Sequence, residues 1–381
     1  MFNFGRDNTS KIAKWWRNIN KEILFLFIFL FLLGLFFSFS STSSVVAEKM
    51  NKETYFFFTK HLIFVSIALT LILIISLLDK EKLVKFLPYL FFVSILFLIL
   101  VYFVGVEVKG SRRWLDLFFL PRFQPVELVK PLFVVFIARV ITEEKKTKIN
   151  TRYFYSLLIL LLIVFFLINQ PDLGQTLLLV LTWITIIFVS GFNMIFLIIF
   201  GFVFLFIVAL LIFLFREKFG YVFSRIQTFF DPKTGDNFQS QKALDAINKG
   251  GLTGQGMGEG ILKDEVPEAH TDYIIAVISE EFGAIFVLFI IIVFLFIGHR
   301  VLNRVLLEQD DFIKLVLAGL ASLVIIQMLI HVGVNIRLIP TTGMTLPFLS
   351  YGGSSLIGSA ISAGIILNFT RKDTNKYFKN E

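Results

Sequence analysis

"EILFLFIFLFLLGLFF" (residues 22–37) and "LIIFGFVFLFIVALLIFLF" (residues 197–215) decide the fold. Each approaches the ~20 apolar residues that an α-helix needs to cross ~30 Å of hydrocarbon. Around them, 56% of the 381 residues are apolar and 17% charged, and the mean hydropathy is +0.81. The apolar residues come in blocks, not mixed with polar ones. The chain reads as an all-α integral membrane protein, a ten-span helix bundle with one large extracytoplasmic loop.

Runs and breakers put the spans at 23–41, 55–78, 83–104, 125–142, 153–169, 173–190, 193–215, 273–298, 311–332 and 351–369. This divides the chain into a tail (1–22), spans one to seven (23–215), the large loop (216–272), spans eight to ten (273–369) and a second tail (370–381). The loop is expected to hold amphipathic helices and a Gly-rich turn lying on the bundle. No small-x-small site follows the first run, so it is expected to stay as a span and not be cleaved as a signal peptide.

Lys and Arg concentrate at 6–21, 80–85, 145–152, 300–304 and 371–379, which orients both termini toward the cytoplasm. The outer loop 105–124 breaks that rule with Lys109, Arg112, Arg113 and Arg122. The net charge of +8 sits in short loops and tails, so it is read as topology and attraction to anionic lipid, with no nucleic-acid partner. With no cysteine and four scattered histidines, thiolate centres are excluded and an all-protein zinc site is not expected.

Four polar stretches stand against this background. In "GSRRWLDLFFLPRFQPVELVKP" (110–131), Arg122 and Lys130 flank the start of span four, and Glu127 lies one turn before Lys130. That is either a self-neutralising ion pair beside a snorkelling arginine, or a cationic site for a phosphate or pyrophosphate. "NKGGLTGQGMGEG" (248–260) lacks the strand and helix of a dinucleotide fingerprint and reads as a flexible loop using positive φ, with hinge or lid duty as an extra. "PTTGMTLPFLSYGGSS" (340–355) is breaker-rich where span ten begins, which suits a cavity wall. In "PEAHTDYIIAVISEEFG" (267–283), Thr271 or Asp272 is a natural N-cap for span eight. Glu280 and Glu281 lie deeper, where carboxylates are costly and paired or functional; Lys130 and Arg139 are candidate partners.

Together "GSRRWLDL", "RFQPVELVK", "NQPDLGQTLL", "GEGILKDEVPEAHTDYIIAVISEEFG" and "IPTTGMTLPFLSYGGSS" resemble, in order and spacing, the SEDS family (shape, elongation, division and sporulation). These are integral-membrane peptidoglycan glycosyltransferases, and the resemblance covers nearly the whole chain. Ala269, the "GEG" lead-in and "TTGMTLPFLSYGGSS" make it more similar to the division branch than to the elongation branch.

The resemblance implies a polymerase that joins lipid II units outside the inner membrane and releases undecaprenyl pyrophosphate. It implies Asp272 as the catalytic acid or base and Arg122 and Lys130 as the basic pair. Glu127, Gln170, Asp172, His270, Ser350 and Tyr351, in the same motifs, join them as candidate substrate contacts. No metal ligand is assigned, and a divalent cation (Mg or Mn) bridging Asp272 and pyrophosphate stays open. The implied partners are the growing glycan strand, a class B penicillin-binding protein and other divisome membrane proteins, with location at the division septum. A carboxylate base suits a poorly nucleophilic sugar hydroxyl, and cations suit a pyrophosphate leaving group. The rivals are a lipid II flippase or other transporter, an elongation-type polymerase, and a scaffold that recruits a transpeptidase.

Overall fold

The computed structural model describes residues 10–41, 55–108, 111–117, 121–143, 149–195, 198–199, 201–202, 220–230 and 238–372. Apolar blocks become helices because only hydrogen-bonded helical backbone is tolerated in lipid. In chain order these are α1 (Lys11–Asn18), α2 (Lys21–Ser41), α3 (Phe56–Leu77), α4 (Lys80–Val104), α5 (Pro125–Glu143), α6 (Ile149–Asn169), α7 (Leu173–Val189), α8 (Gly220–Phe230), α9 (Phe238–Gly250), α10 (Ile274–Leu307), α11 (Asp311–Asn335) and α12 (Gly353–Phe369). Among the described residues, six are long and apolar enough to cross a membrane, and α7 and α12 are shorter apolar helices. The chain is a multi-pass helical membrane protein. The run expected at 193–215 lies mostly outside the described residues.

Small residues set the packing, as they do where lipid removes the hydrophobic drive between helices. The "GSSLIGSAISAG" start of α12 lets it sit between α3 and α5, and most of its residues are buried. At Gly358 the fit is closest: a β-carbon there would lie 2.3 Å from the Glu127 carbonyl oxygen of α5.

The segment 105–124 is not a plain loop. Val106–Val108 (β1) and Ser111–Trp114 (β2) form an antiparallel ribbon, extended by a bridge between Leu115 and Phe123. Successive side chains on a strand point to opposite faces. Arg112 therefore turns outward to Glu107 at 3.4 Å, and Arg113 turns in toward the bundle.

The eighth expected span, 273–298, is longer and broken. α10 runs 34 residues, roughly 50 Å at the helical rise, with non-helical φ 81 and ψ 171 at Gly283. The Gly-rich stretch after α9 fills the break. Gln255 and Gly256 amides donate to the Glu280 and Glu281 carbonyls at 2.9 and 3.0 Å, and Ala284 donates to Gly251 at 2.9 Å. Gly251, Gly254, Gly256 and Gly258 do take positive φ, but the stretch is stitched to α10 by these bonds. A β-carbon on Gly283 would meet the Leu252 carbonyl at 2.2 Å.

That stitching explains Glu280 and Glu281, whose partners are neither Lys130 nor Arg139. Glu280 accepts the Leu262 and Lys263 amides at 2.8 and 2.7 Å. Glu281 pairs with Lys263 Nζ at 2.5 Å and accepts the Ser40 hydroxyl. Arg139 pairs with Glu143 at 2.7 Å instead. The acidic pair clamps the 250–264 segment onto the bundle, because buried carboxylates need cations or amides facing them.

Candidate active site

The site gathers at the end of the bundle that carries the β-ribbon and the 250–272 segment. Its centre is Asp272, one residue before the N-cap position of α10. The expected capping role is not observed: the N-cap is Tyr273, with no side-chain cap bond. Asn335, at the end of α11 and fully buried, supplies the cap from another helix. Its Oδ1 accepts the Ala276 amide at 3.2 Å, and its Nδ2 donates to the Asp272 carbonyl at 3.1 Å.

The preceding turn is fixed on both sides. Glu268, at φ 56, accepts the Thr271 and Asp272 amides at 3.0 and 3.1 Å. The breaker-rich stretch holds the turn from the other side. Ser350 Oγ accepts the Leu346 amide at 2.9 Å and donates to the Thr271 carbonyl at 2.7 Å. The Tyr351 amide donates to the His270 carbonyl at 2.9 Å. The His270 ring packs between Phe57 and Tyr351, with centroids 4.7 and 5.6 Å away. Ser350 and Tyr351 thus hold the loop that carries Asp272.

Opposite Asp272 stands Arg113. A β-carbon on Gly343, whose φ is +70, would lie 3.6 Å from Asp272 Oδ2 and 3.9 Å from Arg113 Nη1. The two charged groups thus lie beside one stretch of wall at Gly343, where the positive φ favours glycine. The Arg113 fork is oriented by the α6–α7 corner: Nε donates to the Gln170 carbonyl at 3.1 Å, Nη2 to the Pro171 carbonyl, and Nη1 lies 3.7 Å from Asp172 Oδ2.

Asp172 caps α7 through Gln175 and accepts Gln124 Nε2 at 3.1 Å. Burial pushes its carboxyl above the usual carboxylate range, and the Arg113 guanidinium pulls it back. Gln170 spends its side chain on the Leu98 carbonyl at 3.3 Å. Both residues serve the site through Arg113.

The basic pair Arg122 and Lys130 is divided between two environments. Arg122 is at the surface, its side chain 58% exposed, with Nε 2.7 Å from Asp116. Lys130 is 4% exposed and lies 2.7 Å from Glu127 and 3.1 Å from Gln327 Oε1. Gln175 Nε2 completes the cluster at 2.8 Å from Glu127, and Gln327 Nε2 reaches the Thr345 carbonyl at 2.9 Å. The i,i+3 ion pair is therefore real and buried inside the bundle.

Arg113, Gln124, Asn335, Gln175 and Gln327 are the members that motif reading left out. The topology-breaking loop did carry the Arg113 signal; only strand alternation tells which of its arginines turns inward. Among the described residues no group of three His, Asp or Glu could hold a metal ion. A divalent cation at Asp272 would need substrate oxygens and water as its other ligands, a habit of Mg.

A family described as cell cycle proteins of the FtsW, RodA and SpoVE type matches residues 21–375. The chain is 33% identical to the probable peptidoglycan glycosyltransferase FtsW of Caulobacter vibrioides, over 98% of this chain and 95% of that one. It is 34% identical to the protein of the same description from Trichlorobacter lovleyi, over 87% of each. Among solved structures it resembles Thermus thermophilus RodA, with TM-score 0.68, 25% identity, and 93% and 97% of the two chains covered. A chain from a peptidoglycan synthase complex gives TM-score 0.75 at 24% identity, covering 92% and 97%. With the match running nearly end to end, the chain belongs to the FtsW/RodA/SpoVE family of membrane-embedded cell cycle proteins.

Proposed function

We propose that this protein is a peptidoglycan glycosyltransferase of cell division, polymerising lipid II with Asp272 as the base. The observation that carries the reading is Asp272 itself: half-buried, its backbone held by Asn335 and its carboxylate facing Arg113 across Gly343. The loop-bearing end faces the outside of the inner membrane, where the lipid-linked headgroup sits at the water boundary.

In the reaction, the acceptor GlcNAc 4-hydroxyl attacks the donor MurNAc anomeric carbon. Asp272 takes the hydroxyl proton as the new C–O bond forms. The bond from that carbon to the pyrophosphate oxygen breaks, and undecaprenyl pyrophosphate leaves with both electrons. Arg113 beside Asp272, and Arg122 at the surface, meet the charge growing on that oxygen. Lys130 acts from beneath, neutralising Glu127 and bracing the α5–α7–α11 contact under the mouth. Were a divalent cation bound, Asp272 would hold it, and it would supply positive charge against the pyrophosphate leaving group.

A transporter would use the buried Glu127–Lys130–Gln327 cluster as its path. That cluster is paired and hydrogen-bonded within itself, which favours the polymerase. The protein works beside a class B penicillin-binding protein at the septum, since new strands must be crosslinked as they form.

The test is purified protein, with and without its cognate transpeptidase, given labelled lipid II in detergent, with glycan chains resolved on a gel. Chains that require Asp272 are the expected result. Lipid II crossing vesicle membranes without polymer would sink the polymerase reading. Depletion should give filaments; widened cells would move the protein to the elongation branch.

A further inference from the structure

A cavity of about 190 Å³ opens between α8, α9 and the 337–341 segment that follows α11. Arg225 and Arg337 both line it, with Ser224, Thr228 and Gln239 among the other polar groups, and no carboxylate is among the described lining residues. Arg225 Nη1 donates to the Thr341 carbonyl at 3.2 Å, and Arg337 Nη1 to Gln241 Oε1 at 3.0 Å. Two guanidinium forks around a small polar cavity suit a multiply charged phosphate, which each can hold through paired N–H donors.

The cavity adjoins the candidate active site without merging with it. Its wall residue Thr341 stands two positions before Gly343, a reach of about 7 Å at most, and Gly343 is the wall that Asp272 and Arg113 face. Arg225 also acts electrostatically on Tyr273, the residue after Asp272. The apolar side is supplied by Phe229 in the lining and by Phe230, 78% exposed, beside it. A half-buried and an exposed aromatic next to a cationic pocket fit a ligand whose head is charged and whose tail enters lipid.

The chemistry calls for two such heads. Joining two lipid-linked saccharides brings two pyrophosphates to the enzyme. The donor's lies at the reacting carbon beside Asp272. The acceptor's stays attached and sits at the far end of its own disaccharide from the attacking hydroxyl. We propose that the Arg225–Arg337 cavity binds the pyrophosphate of this second, acceptor lipid. The assignment rests on the polymerase reading and adds the subsite that would place the acceptor hydroxyl at Asp272.

The experiment is native mass spectrometry of the full chain in detergent, titrated with undecaprenyl pyrophosphate or with phosphatidylglycerol, alongside lipid II kinetics. Wild type should retain two pyrophosphate lipids and Arg225→Gln/Arg337→Gln one, with KM for lipid II raised about tenfold and kcat changed by no more than about twofold. Arg225→Lys/Arg337→Lys, which keeps charge without the fork, should fall between, and thermal melting shows whether each variant folds. Should the Gln variant unfold, the Lys variant decides, by the same count and KM. A single lipid on wild type, two on the folded Gln variant, or equal displacement by phosphatidylglycerol would overturn the assignment. A wild type that holds two pyrophosphate lipids but makes no polymer would instead sink the polymerase reading and leave a lipid-pyrophosphate site standing.

Discussion

Asn335 grips the backbone around Asp272, donating to the Asp272 carbonyl at 3.1 Å and accepting the Ala276 amide at 3.2 Å. It also donates to the His331 carbonyl of its own helix at 2.8 Å, so its side chain ties the end of α11 to the start of α10. Asn335→Ala takes the side-chain donor from the Asp272 carbonyl, a cost of about 1–3 kcal/mol, while the Ala276 amide keeps the Tyr273 carbonyl as acceptor. It also frees the turn that aims the carboxylate. The expected outcome is a lower melting temperature together with a loss of kcat greater than any change in KM. Wild-type kcat in the alanine variant would show that Asp272 needs no such support.

Arg113 should matter more than Arg122. Its fork meets three consecutive residues at the α6–α7 corner, a geometry that a lysine point charge cannot reproduce. Arg113→Lys is therefore expected to cost about tenfold or more in polymerisation rate. Arg122→Gln, which removes an exposed pair with Asp116, should cost less than Arg113→Lys and little stability. Initial rates on labelled lipid II compare them. The reverse order would return the main cationic role to Arg122.

The membrane bundle was legible because its signal is one-dimensional: a block of apolar residues of the right length must become a helix in lipid. The motifs around Asp272 were legible as polar groups where polar groups are costly. Partners were not. Lys263 reaches Glu281 only because the Gly-rich stretch folds back across a break at Gly283. Ser350 and Tyr351 are expected from their motif as substrate contacts; the structure adds that the Ser350 hydroxyl and the Tyr351 amide donate to the Thr271 and His270 carbonyls, main-chain partners that residue identity does not reveal. Arg113 and Arg122 share one basic loop, and a two-stranded ribbon decides which turns inward.

Lys130 and Glu127 allow the pair and the site to be separated. Lys130→Gln leaves a carboxylate buried in the bundle without its cation, and breaking such a pair costs roughly 3–5 kcal/mol. Glu127→Gln/Lys130→Gln removes both charges and should restore much of the melting temperature. Activity that returns with stability confines Lys130 to bracing the bundle. Activity that stays lost at restored stability would give its charge a direct part in holding pyrophosphate.

The Glu281–Lys263 pair should behave as a clamp. Lys263→Met leaves Glu281, 1% exposed, with the Ser40 hydroxyl and the Gly258 amide as its partners among the described residues. A loss of roughly 3–5 kcal/mol is expected, seen as a lower melting temperature and as faster proteolysis within 250–264. Because the segment leads into the Asp272 turn, activity should fall with it. Protection from protease equal to wild type would mean that the backbone stitching at Gly283 holds the segment without the ion pair.

Asp272→Asn is the sharpest test, because capping and basicity are already separated here. The α10 N-cap is Tyr273 without a side-chain bond, and the Ala276 amide is satisfied by Asn335. Replacing the carboxylate by an amide should therefore leave the melting temperature close to wild type. It removes the only feature an asparagine lacks, a charge able to accept a proton or to hold a cation. Loss of a general base lowers turnover by about 10²–10⁴-fold, and binding of lipid II should change little by comparison. The measurement is single-turnover polymerisation of labelled lipid II by wild type and Asp272→Asn at matched thermal stability. Glycan chains formed at near the wild-type rate would remove Asp272 from the chemistry. Attention would then pass to Glu268, which accepts the Thr271 hydroxyl at 3.1 Å in the same turn, and to His270 beside it.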